Sequence, residues 1–384
     1  MSDDQGMAPL RVALDATPLL GQQTGVGAFC MGALTALGAR SGLLVQAFAV
    51  SWRRRQGIDR QLPAGVTVHQ RPMPARPLHA LWGRGSLPPL EWFIGQVAVV
   101  HGTNFVVPPT GRAGAIASVH DLTPLHHPEL CNQATLAYPG LIRRAIARGA
   151  WIHTDSAFVA GEVMDAFAVD PSRVRVVAPG VPLLPDVGPD VGGRLVEPWL
   201  PSDCRRYILA VGTAEPRKDL PGLVRAFDEL ADKQKDLALV LAGPPGWGEA
   251  PLSEAIARAT SRSRIVQTGW VDDRLLAALL GQASVLAYPS RYEGFGFPPL
   301  QAMRAGVAVV ATRAGSLPEV LGDGAYLIDV GDHDGLVGAL GLILADEDLR
   351  QQLVEAGRAR VADFDWEACG AGLEEMYRNV AGSS

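Results

Sequence analysis

The sequence predicts an α/β protein with two doubly wound domains, each built on a mostly parallel sheet. Short apolar runs alternate with segments of helical periodicity in both halves of the chain, which is typical of parallel sheets covered by helices. The alternation stops over residues 183–204, which are rich in Pro, Gly and Asp. The length of 384 residues is sufficient for two domains with separate cores.

Charge is divided unequally between the two halves. Residues 1–180 carry 15 basic and 11 acidic side chains, net +4, whereas the remainder carries 19 and 29, net −10. The basic first half favours an anionic substrate or a membrane surface as partner. The excess is too small to predict nucleic-acid binding.

Cysteine usage and hydropathy indicate a cytoplasmic protein. Cys30, Cys131, Cys204 and Cys369 are far apart and form no CxxC pair, as expected for thiols in a reducing compartment. The first residues lack the basic and apolar regions of a signal peptide. No uncharged apolar run reaches transmembrane length, although peripheral contact with the inner face of the plasma membrane stays open.

The first predicted domain spans residues 1–182. A strand at 10–15 is followed by a glycine loop at 21–27 and a helix at 28–37, an order that lets the backbone approach a phosphate at Gly25 and Gly27. The alternative is a flexible loop over a sheet edge. Further strands are predicted at 43–50, 97–101, 115–119, 152–154 and 174–177, with helices at 135–148 and 157–167. Pro139 should kink the helix 135–148 or mark its true start.

His120 follows the strand 115–119 directly. Open α/β sheets bind ligands at the carboxyl ends of their strands, so His120 is predicted to contact substrate. His126 and His127 are assigned structural roles, because their spacing from His120 matches no common zinc pattern.

Basic and aromatic residues are interleaved over residues 71–93, a segment rich in Pro and Gly. This segment could form an acceptor or lipid-headgroup surface. The competing interpretation is a solvated loop whose aromatic side chains pack inward.

The second predicted domain spans residues 205–365, after a linker at 183–204. Its strands are predicted at 207–211, 238–242, 265–268, 283–289, 307–311 and 326–330, and its helices at 220–230, 298–305, 333–345 and 347–362. The last segment, 366–380, is predicted as a helix whose apolar face carries Trp366, Cys369, Leu373, Met376 and Tyr377.

Two cations follow the first strand of this domain. Arg217 and Lys218 come after Gly212 and precede a helix, where positive side chains oppose the helix dipole. A bound diphosphate would explain the pair better than a solvated helix start. After the strand 265–268, Trp270 and Val271 either pack on a nucleobase or belong to the core.

The stretch 290–301 organises the second domain. An apolar strand leads into Glu293, and Gly294 and Gly296 permit close approach of the backbone to a ligand. Pro298 and Pro299 suit the first turn of a helix, so free N–H groups would face the loop. Glu293 is an acceptor for sugar hydroxyls. The alternative is an ordinary Gly/Pro-rich connection.

These motifs together resemble glycosyltransferase family 4, retaining enzymes of the GT-B fold, and in particular its bacterial mannosyl and hexosyl transferases. The most specific matches are the segments 212–219, 293–298 and 314–320, with weaker matches at 24–27 and 119–122. The resemblance covers roughly residues 10–380.

The resemblance implies two Rossmann-like domains facing a cleft, with the acceptor on the first and the nucleotide sugar on the second. The helix 366–380 is expected to cross back to the first domain. The implied reaction moves a hexose, mannose or similar, from a GDP- or UDP-linked sugar to a hydroxyl of a lipid-linked or oligosaccharide glycan, as in polysaccharide and cell-envelope biosynthesis. The nucleotide sugar is a co-substrate, and neither a cofactor nor a metal is expected.

The resemblance also assigns residues. Arg217 and Lys218 stabilise the departing diphosphate, Glu293 orients the sugar, and His120 contacts the sugar near the reacting centre. The implied donor-binding residues are Gly25, Gly27, Gly212, Arg217, Lys218, Trp270, Val271, Glu293, Gly294, Phe295, Gly296, Phe297, Leu300 and Gln301. At position 301 the family has a second glutamate that holds the ribose. Gln can accept one hydrogen bond there and adds a donor, so altered ribose contact is expected.

Two other functions stay open. One is a different enzyme on the same fold, such as a nucleotide-sugar epimerase or hydrolase, or a phosphorylase, although the three lysines offer no obvious pyridoxal phosphate site. The other is a non-catalytic nucleotide-sugar binding protein. Gln301 allows the second alternative, whereas the presence of Glu293, Arg217, Lys218 and His120 opposes it.

Overall fold

The computed structural model describes residues 8–21, 25–51, 58, 62–69, 72–83 and 85–383. Of the predicted features, the glycine-loop residues 22–24, the arginine run 53–55 and two further arginines, Arg71 and Arg84, lie outside the described residues. The chain forms two compact units. The first comprises residues 1–125, 133–180 and 364–384, and the second comprises 126–132 and 181–363.

The first unit alternates strands and helices as predicted. Its elements are β1 (Leu10–Asp15), α1 (Gly25–Gly38), β2 (Leu43–Phe48), β3 (Val66–Val68), α2 (Ala75–Trp82), α3 (Glu91–Ile94), β4 (Val99–Gly102), β5 (Gly114–Val119), α4 (Thr123–His126, whose last residue is in the second unit), α5 (Tyr138–Ala147), β6 (Trp151–Thr154), α6 (Ala157–Phe167) and β7 (Val174–Val176).

The first sheet is parallel, with the strand order β3-β2-β1-β4-β5-β6-β7. Strand order reverses between β1 and β4, and such a switch point opens a crevice at the carboxyl ends of the strands. His120 follows β5, the next strand along. The fold therefore places His120 at the ligand-binding edge of its sheet.

The second unit repeats the pattern after a short helix. Its elements are α7 (Pro189–Val196), β8 (Arg206–Val211), α8 (Leu220–Lys233), β9 (Leu237–Ala242), α9 (Glu249–Arg258), β10 (Ile265–Gly269), α10 (Asp273–Gln282), β11 (Val285–Tyr288), α11 (Phe297–Arg304), β12 (Val309–Thr312), α12 (Leu317–Leu321), β13 (Tyr326–Ile328), α13 (His333–Ala345) and α14 (Glu347–Val361).

The second sheet is also parallel, with the order β10-β9-β8-β11-β12-β13. All six residues of β9 are buried, as expected for a strand covered by helices on both faces. Strand order reverses between β8 and β11. The segments that carry Lys218 and Glu293 follow these two strands, so both predicted motifs lie at the switch point. The α/β prediction with two parallel sheets is confirmed.

Several elements differ from the prediction. The helix α1 begins at Gly25, so Gly25 and Gly27 lie in its first turn rather than in a loop. The segment 183–204 was predicted to lack regular structure, but it contains α7, which starts with Pro189 after Gly188 and buries Val196. The helices α2, α3, α4, α9, α10 and α12 and the strand β3 were not predicted. Conversely, Pro139 lies in the first turn of α5, which confirms its role as a helix start.

The last helix, α15 (Trp366–Gly382), belongs to the first unit. Its buried face includes Cys369, Leu373, Met376 and Tyr377, four of the five residues predicted for that face. The fifth, Trp366, is half-buried and packs so closely that a Cβ at Gly32 would lie 2.2 Å from its ring. This helix therefore contributes to the core of the first unit.

Candidate active site

Lys218 and Glu293 form a buried ion pair at the switch point of the second sheet. The Lys218 Nζ lies 2.6 Å from Glu293 Oε1 and donates to the Tyr288 hydroxyl at 2.5 Å. Lys218 and Glu293 are only 7% and 5% exposed. Because the pair is withdrawn from water, its charges act at much greater strength than they would on the surface.

Arg217 joins the same cluster from the other side of the carboxylate. Its Nη1 lies 2.6 Å from Glu293 Oε2, and its Nε donates to Glu215 at 2.7 Å. The cluster thus contains two cations and two carboxylates. The sequence predicted Arg217, Lys218 and Glu293 as site residues, and the structure brings them together.

The charge of Glu293 is fixed by its neighbours. Burial alone would raise the pKa of Glu293, but Arg217 and Lys218 outweigh it and lower the pKa to about 2. Burial and the neighbouring Arg217 lower the pKa of Lys218 from its ordinary value, and Glu293 opposes that shift. Glu293 is therefore an ionised acceptor at neutral pH and is not a proton donor.

Glycines shape the two segments that carry this cluster. Gly212 has φ +146°, and a Cβ there would lie 3.3 Å from the Lys218 side chain. At Gly315, φ is +55° and a Cβ would lie 2.2 Å from the Glu293 carbonyl oxygen. Ser316 N also donates to that carbonyl at 2.9 Å. The segment 314–320, predicted from its motif, thus supports the backbone of Glu293.

The loop after Glu293 is largely buried. Gly294, Phe295 and Gly296 are buried, and Phe297 is half-buried as the first residue of α11. Gly296 has φ +105°, where a Cβ would meet Leu317 at 2.8 Å. Gly296 therefore requires glycine for steric reasons, while the approach of this backbone to a ligand stays a prediction.

Four other predicted donor residues lie in different surroundings. Leu300 is fully buried in the interior of the second unit, and its predicted contact with the donor stays a prediction. Gln301 lines a cavity of about 370 Å³ with Arg304 and the segment 182–189. Trp270 is 52% exposed, which contradicts the core alternative and leaves its ring open to a ligand, while Val271 is half-buried.

The sequence did not identify three residues of this region. Glu215 neutralises Arg217, Tyr288 accepts from Lys218, and the half-exposed Arg291 pairs with Asp219 at 3.4 Å. Tyr288 ends β11 and Arg291 directly precedes the central loop. Their positions at the carboxyl end of a predicted strand were the only signal available in the sequence.

In the first unit, His120 is nine-tenths buried and both of its ring nitrogens have partners. Nδ1 lies 2.6 Å from Asp155 Oδ2, and Nε2 lies 2.8 Å from the Thr103 carbonyl oxygen. Burial lowers the pKa of His120, but Asp155 outweighs it, so the pKa is raised overall. A hydrogen bond from this ring to a sugar would have to replace one of the two protein contacts.

His126 and His127 lie in the segment that belongs to the second unit. Their rings are 6.4 and 5.5 Å from the ring of Tyr292, measured between centroids. Leu130 in the same segment accepts a hydrogen bond from the Trp247 indole at 2.8 Å. Among the residues described, no group of three or more His, Cys, Asp or Glu side chains is arranged to hold a metal ion.

No helix in the described part of the chain is both long and apolar enough to span a bilayer. The four cysteines are free thiols, and Cys30, Cys204 and Cys369 are buried.

Comparisons with known proteins identify the family of this chain. Residues 196–360 match the family model described as "Glycosyl transferases group 1". The O-antigen chain mannosyltransferase B of Escherichia coli is 30% identical over 73% of this chain and 74% of its own length. The MMP alpha-(1->4)-mannosyltransferase of Mycolicibacterium hassiacum is 33% identical over 59% of this chain, which spans about half of that relative.

The fold is that of solved glycosyltransferases. Sucrose-phosphate synthase from Thermosynechococcus elongatus superposes with a TM-score of 0.75 at 18% identity, over 98% of this chain and all of that structure. The predicted GT-B fold and the predicted glycosyltransferase class are both confirmed. The chain belongs to the group 1 glycosyl transferases.

Proposed function

We propose that the chain is a retaining hexosyltransferase. It moves mannose or a similar hexose from a GDP- or UDP-linked sugar to a hydroxyl of a lipid-linked or oligosaccharide glycan. The observation that carries the proposal is the buried cluster of Arg217, Lys218 and Glu293 at the switch point of the second sheet. The named mannosyltransferase relatives support the choice of a hexose.

The cluster is suited to leaving-group stabilisation. When the bond between sugar and diphosphate breaks, negative charge develops on the diphosphate. Arg217 and Lys218 are cations whose positions are already fixed by Glu293 and Glu215, so little reorganisation is required as the charge appears. This arrangement supplies the electrostatic role that a metal ion has in other transferases, and we propose that the reaction is independent of metal.

Glu293 is poorly suited to act as a base or nucleophile. Both of its carboxylate oxygens are paired with cations at 2.6 Å, and its pKa is lowered to about 2. Such a carboxylate has little tendency to take a proton or attack carbon. We assign it the roles of holding the two cations in place and accepting hydrogen bonds from the donor sugar.

The acceptor is assigned to the first unit, together with contact to an anionic lipid surface. Leu81, Leu87 and Trp92 are 50%, 66% and 69% exposed within a short stretch that also exposes Arg76. Residues 1–180 carry net charge +4, which complements an anionic membrane. With its free thiols, the chain is assigned to the cytoplasm, at the inner face of the membrane.

The lipid assignment is tested by co-sedimentation with vesicles. The chain should bind vesicles rich in anionic lipid more strongly than zwitterionic ones, and Trp92→Ser should weaken that binding. Leu342→Ser serves as the control, because Leu342 is 44% exposed in the second unit. Equal binding by the two variants would argue against a role for this surface.

The transfer reaction is tested with a panel of GDP- and UDP-linked hexoses and glycan acceptors. The product should be a glycoside whose anomeric configuration, determined by NMR, is that of the donor. Release of free sugar alone would indicate a hydrolase, and an altered sugar on the nucleotide would indicate an epimerase. Binding of donor with no chemical change under any condition would support the non-catalytic alternative.

A further inference from the structure

Three histidines are buried side by side beneath the ligand-binding edge of the first sheet. His101 is on β4, His153 is on β6, and His120 follows β5. The ring of Phe29 lies 5.3 Å from that of His153 and 5.1 Å from that of His120, measured between centroids. The resemblance and the comparisons assign no role to His101, to His153 or to Asp155 beside them.

Two of these histidines belong to a chain of hydrogen bonds with one consistent direction. The Tyr377 hydroxyl on α15 lies 2.7 Å from His101 Nδ1, and Ser118 Oγ lies 2.8 Å from both His101 Nε2 and His153 Nδ1. The chain ends where His153 Nε2 meets the Val177 carbonyl oxygen at 3.0 Å.

The final carbonyl determines every proton in this chain. Because a carbonyl only accepts, His153 must donate from Nε2, and its neutral ring then accepts from the Ser118 hydroxyl at Nδ1. Ser118 in turn accepts from His101 Nε2, and His101 Nδ1 accepts from the Tyr377 hydroxyl. Neutral His101 and His153 therefore satisfy every donor and acceptor in this chain. Burial lowers the pKa of each ring, and the charge on His120 lowers both further.

His120 has a different pair of partners. Its Nε2 faces the Thr103 carbonyl oxygen and its Nδ1 faces the Asp155 carboxylate. A carbonyl and a carboxylate are both acceptors, so a ring that satisfies both must donate from both nitrogens. Only the imidazolium form can do this. The group of three histidines therefore contains one cation and two neutral rings.

We propose that Asp155 is a positioning residue that keeps the His120 ring protonated and oriented, so that His120 serves the reaction as a fixed positive charge and never as a base. This inference rests on the proposed transfer function, in which charge develops on the departing diphosphate. The buried contacts of Asp155 and Thr103 tie the ends of β4, β5 and β6 to one ring. Their combined effect is to fix where that positive charge lies.

The groups that face His120 determine how its protonation responds to pH. Two of them are carboxylates, Asp155 after β6 and Asp121 in its own loop, and both raise the pKa of His120, while burial lowers it. The other titratable neighbours, His153 and His101, are neutral rings whose pKa values are lowered. Because the pKa of His120 is raised overall, the cation that its two acceptors require persists to higher pH than in a free histidine and is lost on the alkaline side.

The direct test is the protonation state of His120 in the full chain labelled with ¹⁵N-histidine. The His120 signal is identified by its loss in His120→Gln. At pH 7 its ring should carry two N–H groups, and His101 and His153 should carry one each. In Asp155→Asn the His120 ring should deprotonate at a lower pH than in the wild type. A neutral His120 at pH 7 in the wild-type chain would overturn the proposal, even if Asp155→Asn failed to fold.

The kinetic test compares pH profiles of kcat/KM for the wild type, Asp155→Asn, Asp155→Glu and the matched control Asp165→Asn. Asp165 is an exposed carboxylate on α6 in the same unit. The alkaline loss of activity should move to lower pH in Asp155→Asn only, giving a deficit of about tenfold or more at pH 8. Asp155→Glu should restore part of the kcat/KM that is lost at pH 8. A profile of Asp155→Asn that parallels the control would overturn the proposal.

The two tests separate this inference from the proposed function. If no donor and acceptor pair supports transfer, the proposed function fails, yet the NMR titration still reports whether Asp155 holds the charge on His120. If transfer is observed but His120 titrates at the same pH in the wild type and in Asp155→Asn, this inference fails and the proposed function stands.

Discussion

Glu293→Gln tests the buried cluster in one substitution, because it removes a charge while preserving the shape of the side chain. Glu293 pairs with Arg217 and Lys218 at 2.6 Å each and is 5% exposed. Without its charge, Lys218 loses the carboxylate that it faces, and Arg217 keeps Glu215. The net charge of the cluster rises from zero to +1.

The magnitude follows from the pKa of the buried carboxyl. Its pKa is lowered from an ordinary value of 4.5 to about 2, which corresponds to about 3 kcal/mol of folding free energy at 1.36 kcal/mol per pKa unit. Because the pKa is lowered in the folded state, this stability is fully present above pH 4.5 and is lost as the pH falls toward 2. A destabilisation of similar size, about 3–5 kcal/mol, is expected when one partner of a buried ion pair is removed.

The assay is urea unfolding at pH 7, 5 and 3, with Glu254→Gln as the control. Glu254 forms an exposed i,i+4 pair with Arg258 on α9, where a change below about 1 kcal/mol is expected. The difference in free energy of unfolding between Glu293→Gln and the wild type should become smaller as the pH is lowered. Turnover should fall strongly, whereas affinity for the bare nucleoside diphosphate should hold or rise, since the cluster has gained positive charge. If Glu293→Gln lost diphosphate binding but kept turnover, or if it were as stable as the control, the assigned roles would be wrong.

Three other results are expected. Lys218→Ala should weaken nucleoside diphosphate binding, measured by calorimetry, by about 1.5–3 kcal/mol. The control Lys235→Ala changes a side chain that is 75% exposed and should bind the diphosphate normally. Equal affinities of the two variants would contradict the diphosphate assignment. Activity should survive EDTA, and recovery of lost activity on adding magnesium or manganese would mean that the site requires a metal. Leu373→Ala should destabilise the first unit by about 2–5 kcal/mol, whereas exposed Glu375→Ala should not, and equal melting temperatures would show that α15 contributes little to that core.

Local patterns were sufficient to predict most of the fold. Strands such as Leu10–Asp15 and helices such as Ala157–Phe167 and His333–Ala345 have the predicted bounds, because apolar runs and capping residues such as Ser156 are local signals. The helix α7 was missed since its eight residues contain two glycines and a proline. Its formation depends on packing, where Gln282 of α10 donates to the Pro189 carbonyl oxygen at 3.2 Å.

The candidate site was only partly predictable for a related reason. Motif spacing identified Arg217, Lys218 and Glu293, but the pairing of Arg217 with Glu215 depends on side-chain rotamers that sequence does not specify. The histidine group depends on sheet register. Ser118 lies directly opposite His153 in the β5–β6 pair, although the two are 35 positions apart in the chain. A local sequence pattern cannot relate two residues that are so far apart in the chain.

Both units place buried charge at the carboxyl edge of a parallel sheet, and both pair that charge internally. In the second unit two carboxylates neutralise two cations, so the cluster has no net charge until a ligand arrives. In the first unit His120 and Asp155 likewise form a neutral pair. A bound diphosphate therefore meets cations that are fixed in position but already paired, and its affinity depends on how far it can compete with Glu293 and Glu215. This competition explains why removing a carboxylate from the cluster should maintain or strengthen diphosphate binding while it weakens the chemical step.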